Sequence, residues 1–280
     1  MTSLWKDADV TDSGQNASGL WTDEKNTTNV VIEPSFADVL PTSCAGWFVG
    51  LANLASITGL EYLNTSEVTT MSSMFSGCEA LTSLDLKNFN TSKVKSMYAM
   101  FQRCDGLTSL DLTNFDTSEV TNMQYMFYGC SGLTSIDLTN VNTSKVTSMN
   151  SMFQNCQNLT SIDLTNFDTS KVTNMQYLFC GCSSLTSLDL TNFNMQNASL
   201  INSMFKECSA LKTIYCDDDW KTNTINNSAD LFLDCTSLVG AVAYDAKNKN
   251  DVTFANPTTG YFTTIHQVVW RDGNTTLYFI

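Results

Sequence analysis

Residues 107–132 read LTSLDLTNFDTSEVTNMQYMFYGCSG, and units of the same pattern precede and follow this stretch. Cysteine recurs every 26 residues and then once after 27, and phenylalanine keeps this spacing three residues earlier. The cysteine column is Cys78, Cys104, Cys130, Cys156, Cys182, Cys208 and Cys235. The phenylalanine column is Phe48, Phe75, Phe101, Phe127, Phe153, Phe179, Phe205 and Phe232. Two columns in register at this period predict a solenoid of stacked repeats.

Each unit has two halves. Leu107, Leu110 and Leu112 reproduce the L-x-x-L-x-L spacing of leucine-rich repeats, and the alternation with Asp111 predicts a short strand with one buried face. In the second half, residues 120–130 place an apolar side chain every three to four residues, which is typical of one face of a short helix or of tight helical turns. We therefore expect an α/β repeat fold, a right-handed leucine-rich-repeat solenoid with one short parallel strand and one short helical return per unit.

The two halves meet at a column that accepts either Asn or Asp. The two residue types differ in charge but share a short side-chain oxygen acceptor, so the column predicts an Asx turn or a helix N-cap. The column is Asn64, Asn90, Asp116, Asn142, Asp168 and Asn194.

The pattern predicts four segments along the chain. We expect an N-terminal cap over residues 1–46, in which residues 30–32 form a covering strand, and a solenoid of seven to eight units over residues 47–243. A C-terminal cap over residues 244–263 follows, with a closing turn and an aromatic plug at residues 256–262. Residues 264–280 read as a β-hairpin around residues 271–274, expected to begin a following module.

Composition excludes several classes of partner. The chain has 28 acidic and 14 basic residues, a formal net charge of −14, and its sequence has no Lys/Arg-rich stretch, so we expect no nucleic-acid partner. Its sequence also lacks a run of the roughly 18 apolar residues that a transmembrane span requires. Residues 1–7 have neither a basic start nor an apolar run, so we predict no signal peptide. We expect either a cytosolic protein or a segment of a longer exported protein.

The units at residues 117–142 and 169–194, TSEVTNMQYMFYGCSGLTSIDLTNVN and TSKVTNMQYLFCGCSSLTSLDLTNFN, resemble the BspA-like leucine-rich-repeat surface proteins of bacteria. Residues 33–38, 57–66 and 256–262 are similar to the terminal caps of that family, so the resemblance covers roughly residues 30–262. It implies secretion or display at the cell surface, and a role in adhesion, host-protein binding or co-aggregation. It carries over no catalytic residues.

Candidate chemistry is sparse. The only histidine, His266, lies outside the repeats, and the sequence contains none of the common hydrolase, nucleotide-binding or zinc-protease motifs, so we predict no enzyme and no cofactor. The cysteine column could hold metal or act in redox chemistry. Buried free thiols are favoured, because core packing needs only one small apolar residue per unit and Leu51 stands at the same position in the first unit. Cys180, off the column, is the more reactive candidate. Paired methionines such as Met123 and Met126 could bind copper, but their spacing favours core packing.

Aspartates at the centre of the strands form the candidate site. In-register strands would place them about 5 Å apart, which is unfavourable unless neighbouring hydroxyls, water or bound Ca²⁺ relieve the repulsion. We favour a solvated face and keep Asp85, Asp111, Asp137, Asp163 and Asp189 as weak Ca²⁺ candidates. The candidate binding face, hereafter the strand face, comprises Ser83, Asp85, Ser109, Asp111, Thr113, Ser135, Asp137, Thr139, Ser161, Asp163, Thr165, Ser187 and Asp189.

Two functions fit this sequence. The first is a non-enzymatic scaffold at the cell surface that presents a polar, acidic, concave face to an extracellular protein or glycan. The second is a passive spacer that holds other modules away from the cell. A patch of aromatic or charged residues that does not repeat would favour recognition, whereas a uniform surface would favour the spacer.

Overall fold

We describe a computed structural model of the chain over residues 26–221, 224–248, 250–264, 268–272 and 275–279. The predictions that concern residues 1–7, His266 and the turn residues 273–274 lie outside these ranges.

The chain forms a stack of coils that are parallel to one another. One residue of each coil forms a parallel β-bridge to the next coil, and hydrogen-bonded residues in neighbouring coils are typically 26 positions apart. The bridged residues are Ser43, Thr70, Ser96, Asn122, Ser148, Asn174, Leu200 and Asn227. The prediction of a repeat solenoid is therefore confirmed.

The return half of each coil is tied to its neighbour by backbone hydrogen bonds at alternate residues. The N–H groups of Ser73 and Phe75 donate to the carbonyls of Tyr98 and Met100 in the next coil, at 2.7 and 2.9 Å. The intervening N–H groups close reverse turns within their own coil, as Ser76 N–H does to the Ser73 carbonyl at 3.2 Å. These bonds recur from coil to coil and fix the spacing of the coils on this side.

The prediction of a helical return, for example over residues 120–128, is wrong: in the described part of the chain these segments are successive reverse turns. An α-helix would give each N–H to the carbonyl four residues earlier, but here alternate N–H groups donate to the next coil. Left-handed residues also interrupt any helix, with φ of 55° at Ser73, 53° at Ala99 and 58° at Tyr125. A left-handed non-glycine residue costs about 1–2 kcal/mol, which the hydrogen bonds between coils must offset.

Regular strands are confined to the ends of the array. At the N-terminal end β1 (Asn29–Val31) pairs in parallel with β2 (Ser56–Thr58). At the C-terminal end β3 (Ser187–Asp189), β4 (Thr213–Tyr215) and β5 (Phe262–Thr263) form a parallel sheet in that order. Beyond it β6 (Val268–Asp272) and β7 (Thr275–Phe279) pair antiparallel. Within the described ranges, 3₁₀ helices span Pro34–Asp38, Leu60–Tyr62 and Val252–Phe254.

The expectation of one paired strand in every unit therefore needs correction. In the four central coils no hydrogen bond joins the L-x-L segments (residues 84–86, 110–112, 136–138 and 162–164) to one another. Phe89 and Phe115 lie beneath the strand face, and their ring centroids are 6.5 Å apart, compared with 5.7 Å for Phe75 and Phe101. The ladder of backbone hydrogen bonds on the return side has no counterpart between these L-x-L segments.

The core consists of parallel columns of apolar side chains. The rings of the phenylalanine column stack with centroids 5.4–6.1 Å apart and interplanar angles of 3–12°. Offset stacking at this distance is favourable beyond the burial of the rings. At the C-terminal end Trp220, Tyr261 and Phe262 are fully buried and contact the last phenylalanines edge-on or stacked, which covers the end of the column.

Candidate binding face

All thirteen residues of the strand face are exposed, and the structure brings them together in successive coils. Each aspartate is exposed between two leucine or isoleucine side chains that are buried or partly buried, such as Leu110 and Leu112 beside Asp111. The face is therefore a polar row of serine, aspartate and threonine that crosses the coils, as the alternation in sequence predicts.

Each aspartate is bound locally by the residue two positions later. Oδ1 of Asp111 accepts hydrogen bonds from the backbone N–H of Thr113 at 2.9 Å and from its hydroxyl at 2.7 Å. The bond from the N–H and then that from the hydroxyl lower the pKa of Asp111, and the same pair from Thr139 lowers the pKa of Asp137. At the first position Lys87 replaces threonine, and its ammonium lies 2.7 Å from Oδ2 of Asp85. These turns favour the ionised form of Asp111 and Asp137 and leave their Oδ2 atoms without a partner in the described structure.

This arrangement bears on the Ca²⁺ candidates. Within the described residues, no three side chains of the types His, Cys, Asp or Glu are grouped closely enough to hold a metal. The nearby charges of Asp85 and Asp137 raise the pKa of Asp111 less than its turn bonds lower it. Ca²⁺ requires six to eight converging oxygens, and here the carboxylates stand in separate turns.

Backbone groups add to the donors and acceptors of the strand face. A shallow open groove of about 290 Å³ runs between two central coils and is lined by Ser109, Leu110, Asp111, Thr113, Ser135, Ile136 and Asp137. In the described structure the backbone N–H groups of Leu110, Asp111 and Ile136 make no hydrogen bond within the chain. Such groups need partners from solvent or from a ligand. The groove therefore offers backbone donors beside two carboxylates.

The cysteine column has a second role besides packing. The thiol of Cys130 donates to the carbonyl of Phe101 in the preceding coil at 3.0 Å, and the same bond recurs in every coil from Cys78 to Cys235. Leu51 holds this position in the first described coil, where no earlier described coil presents a carbonyl. This explains why the column uses cysteine: it is a small apolar residue that also carries a donor.

All ten cysteines are free and buried. Burial raises the pKa of Cys78, Cys130 and Cys182 to about 12, so these thiols stay protonated near neutral pH. Cys180, the candidate reactive thiol, is 5% exposed while its neighbour Cys182 is fully covered, and burial raises its pKa to about 11. The methionines of the return half, such as Met123 and Met126, lie in the core among the phenylalanines.

Two polar columns that join the coils were missed by sequence reasoning. The hydroxyl of buried Thr117 donates to the carbonyl of Asn142 at 2.9 Å and accepts from its N–H at 2.7 Å. The side-chain amide of Asn140 donates to the Thr113 carbonyl at 2.8 Å, and Asn166 repeats this bond one coil later. Their only signal in the sequence was their recurrence at the repeat period.

The Asn/Asp column does form the predicted Asx turns, as Oδ1 of Asp116 accepts from Ser118 N–H at 3.0 Å.

Tyrosines form a cluster on the return side that does not repeat. The rings of Tyr98 and Tyr125 have centroids 5.6 Å apart, and those of Tyr125 and Tyr128 are 5.8 Å apart. We call Tyr98, Tyr125 and Tyr128 the tyrosine cluster. Two of the three, Tyr125 and Tyr128, lie within residues 107–132. Comparison of each column from coil to coil would have revealed them.

None of the helices in the described ranges has the length and apolar character that a membrane span requires.

No curated protein matches this chain. Among solved structures it is similar to a leucine-rich repeat protein from Eubacterium ventriosum ATCC 27560, with 18% identity over 81% of each chain and a TM-score of 0.33. It is also similar to a leucine rich cell surface protein from Faecalibacterium prausnitzii A2-165, with 16% identity over 80% of each chain and a TM-score of 0.23.

A family described as "Mycoplasma protein of unknown function, DUF285" matches residues 42–136 and again residues 129–244. The two matches overlap by less than one coil and together include most of the stacked coils described above. The chain therefore belongs to the DUF285 family.

Proposed function

We propose that this chain is a non-enzymatic recognition scaffold that binds an extracellular protein or glycan through the strand face. The observation that carries the proposal is the combination of two kinds of group in one place. The carboxylates of Asp111 and Asp137 lie beside the backbone N–H groups of Asp111 and Ile136, which have no partner within the described structure. These N–H groups are therefore free to donate to a ligand. The proposal also places the chain outside the cell or at its surface, which the resemblance to BspA-like surface proteins supports.

The chemistry of the face sets the kind of ligand. Its carboxylates and the net charge of −14 disfavour phosphate backbones and favour donor-rich ligands, such as basic or hydroxyl-rich protein segments and sugar hydroxyls. Phosphate chains of nucleic acid would meet repulsion along the whole row. The second candidate is a passive spacer, which the uninterrupted phenylalanine column favours because it stiffens the stack.

The test uses purified extracellular-matrix proteins and mucins as probes. We expect wild-type protein to capture at least one of them, and the triple variant Asp111→Asn, Asp137→Asn, Asp163→Asn to lose that capture. Asparagine keeps the Oδ1 acceptor of each turn and removes only the charge. The matched control is Asp116→Asn, in a turn column that already alternates Asn and Asp. Failure of wild-type protein to capture any probe would favour the spacer.

A further inference from the structure

The tyrosine cluster replaces small or amide residues at three positions of the repeat. Its members lie on two adjacent coils, and Tyr98 is 39% exposed, one of the few large hydrophobic side chains in the described structure with that much solvent contact. The repeat does not require aromatic rings here. In the neighbouring coils, Ser72 and Gln124 stand at the position of Tyr98. Ala99 and Ser151 stand at the position of Tyr125, and Gln102 and Gln154 at that of Tyr128.

The cluster is held on a rigid base. The N–H of Ala99, next to Tyr98, donates to the Gln124 carbonyl at 2.8 Å, and the N–H of Tyr125 donates to the Asn150 carbonyl at 2.9 Å. The ring planes meet at 68° for Tyr98 and Tyr125 and at 63° for Tyr125 and Tyr128. The three rings therefore form an angled aromatic surface whose backbone is fixed by the bonds between coils.

Side-chain amides occupy the same columns as the rings in adjacent coils: Gln124 follows Tyr98, and Gln102 and Gln154 lie on either side of Tyr128. Those of Gln124 and Gln154 have no hydrogen-bond partner in the described structure, and Oε1 of Gln102 accepts a bond from the Ser76 hydroxyl at 3.1 Å. Each free amide offers both donors and an acceptor. The cluster and its three amides carry no charged group, and the guanidinium of Arg103 at the margin is paired with Glu79 at 2.8 Å.

We infer that the tyrosine cluster and the amides of Gln102, Gln124 and Gln154 form a binding site for a neutral saccharide. A sugar ring presents an apolar face of C–H groups that packs on an aromatic ring, and hydroxyls that both donate to and accept from amides. An uncharged patch on a chain of net charge −14 suits a neutral ligand.

The size of the patch favours a sugar over a protein. Tyrosine is also common at the centre of protein interfaces, but a stable interface takes about 20–30 residues from each side. Here only three rings and three amides carry the distinct chemistry, which suits a small ligand better than a protein. This inference rests on the proposed recognition function, but it concerns the return side and not the strand face.

The experiment measures binding of maltotetraose, cellotetraose, xylotetraose and mannotetraose by saturation-transfer NMR and by calorimetry. We expect at least one to bind wild-type protein at millimolar concentration. The triple variant Tyr98→Gln, Tyr125→Ser, Tyr128→Gln should weaken that binding by about tenfold or more. Each substitution installs a residue that the same column holds in a neighbouring coil, so the fold is expected to persist. Tyr215→Ala, on β4 and away from the cluster, is the matched control.

Two outcomes overturn the inference: no tetrasaccharide binds wild-type protein, or the triple variant binds as wild type does. The single variant Tyr98→Gln repeats the test if circular dichroism shows that the triple variant is unfolded. Capture of matrix proteins or mucins in the absence of sugar binding would leave the proposed function standing and remove only the saccharide site. The aspartate triple variant of the strand face is measured in both assays. If it binds sugar and captures every probe as wild type does, the strand face is excluded as the binding surface and the saccharide site stands.

Discussion

Truncation of one phenylalanine in the middle of the column should differ from the same truncation at its end. Phe127 is fully buried and stacks with Phe101 at 5.7 Å and with Phe153 at 5.5 Å. Phe48 is 1% exposed, but it stacks with Phe75 alone, at 5.4 Å. The pair therefore compares an interior coil with the first coil at equal burial.

Replacing either phenylalanine by alanine should cost about 3–5 kcal/mol, from lost transfer free energy and an unfilled cavity. Phe127→Ala breaks one more ring pair than Phe48→Ala, and each such pair adds about 0.5–1.5 kcal/mol. We therefore expect Phe127→Ala to reduce the free energy of unfolding by about that much more. Because each coil contacts only its neighbours, the interior lesion should also divide the array, whereas the end lesion should fray only the first coils.

Hydrogen exchange resolved by coil, together with urea unfolding, measures both effects. Phe127→Ala should lose protection most strongly across residues 97–156, with two separate unfolding transitions. Phe48→Ala should lose protection only before about residue 80. A uniform loss of protection in both variants, or a larger cost for Phe48→Ala, would refute the one-dimensional reasoning and indicate a single cooperative globular unit.

Four further predictions follow from the polar columns and thiols. Under native conditions a thiol reagent at pH 8 should label few of the ten cysteines, because burial raises the pKa of Cys78 and Cys235 to about 12; labelling of seven or more would contradict this. Thr117→Val should cost about 1–3 kcal/mol by urea unfolding, because it removes the only partner of two Asn142 backbone groups; exposed Thr121→Val should cost less. Thr113→Val should raise the pKa of Asp111 in a carbon-13 NMR titration, because it removes one of the hydrogen bonds that lower that pKa; an unchanged pKa would contradict the turn assignment. Because the pKa of Asp111 is lowered in the folded state, the stability that this carboxylate contributes is lost as the pH falls through the folded-state pKa. Millimolar Ca²⁺ should not raise the melting temperature beyond a general salt effect, and a saturable rise would show that the Asp row binds it.

The repeat and its inward columns could be predicted from sequence because burial depends on local periodicity. Leu112, Phe127 and Cys130 recur at fixed positions of the unit, and all three are buried. The exposed aspartates between the leucines follow from the same alternation.

The helical return could not be predicted correctly, because tandem reverse turns also bring an apolar side chain inward every three or four residues. The feature that separates the two structures is the hydrogen bonding of alternate N–H groups to the next coil, which is not local in sequence. One local signal was present. Left-handed residues fill one column, and four of these six are Gly or Asn, which tolerate that conformation: Gly77, Arg103, Gly129, Asn155, Gly181 and Glu207.

For the candidate site, sequence predicted which residues share the exposed face but not how the face is built. The turn bonds at Asp111 and the missing hydrogen bonds between the L-x-L segments are features that the strand pattern does not encode. The cysteine column was predicted to be buried, whereas its thiol–carbonyl bonds required the position of the preceding coil.

Deletion of one whole coil, residues 133–158, tests the central claim most directly. The deletion joins Gly132 to Leu159 and keeps every column in register, because the removed segment equals the 26-residue repeat. A solenoid should remain folded, with the ladder on the return side closed between the new neighbours, dispersed amide NMR signals and a lower melting temperature from the loss of one interface. A deletion variant that is unfolded by circular dichroism and NMR would contradict the stacked-coil account.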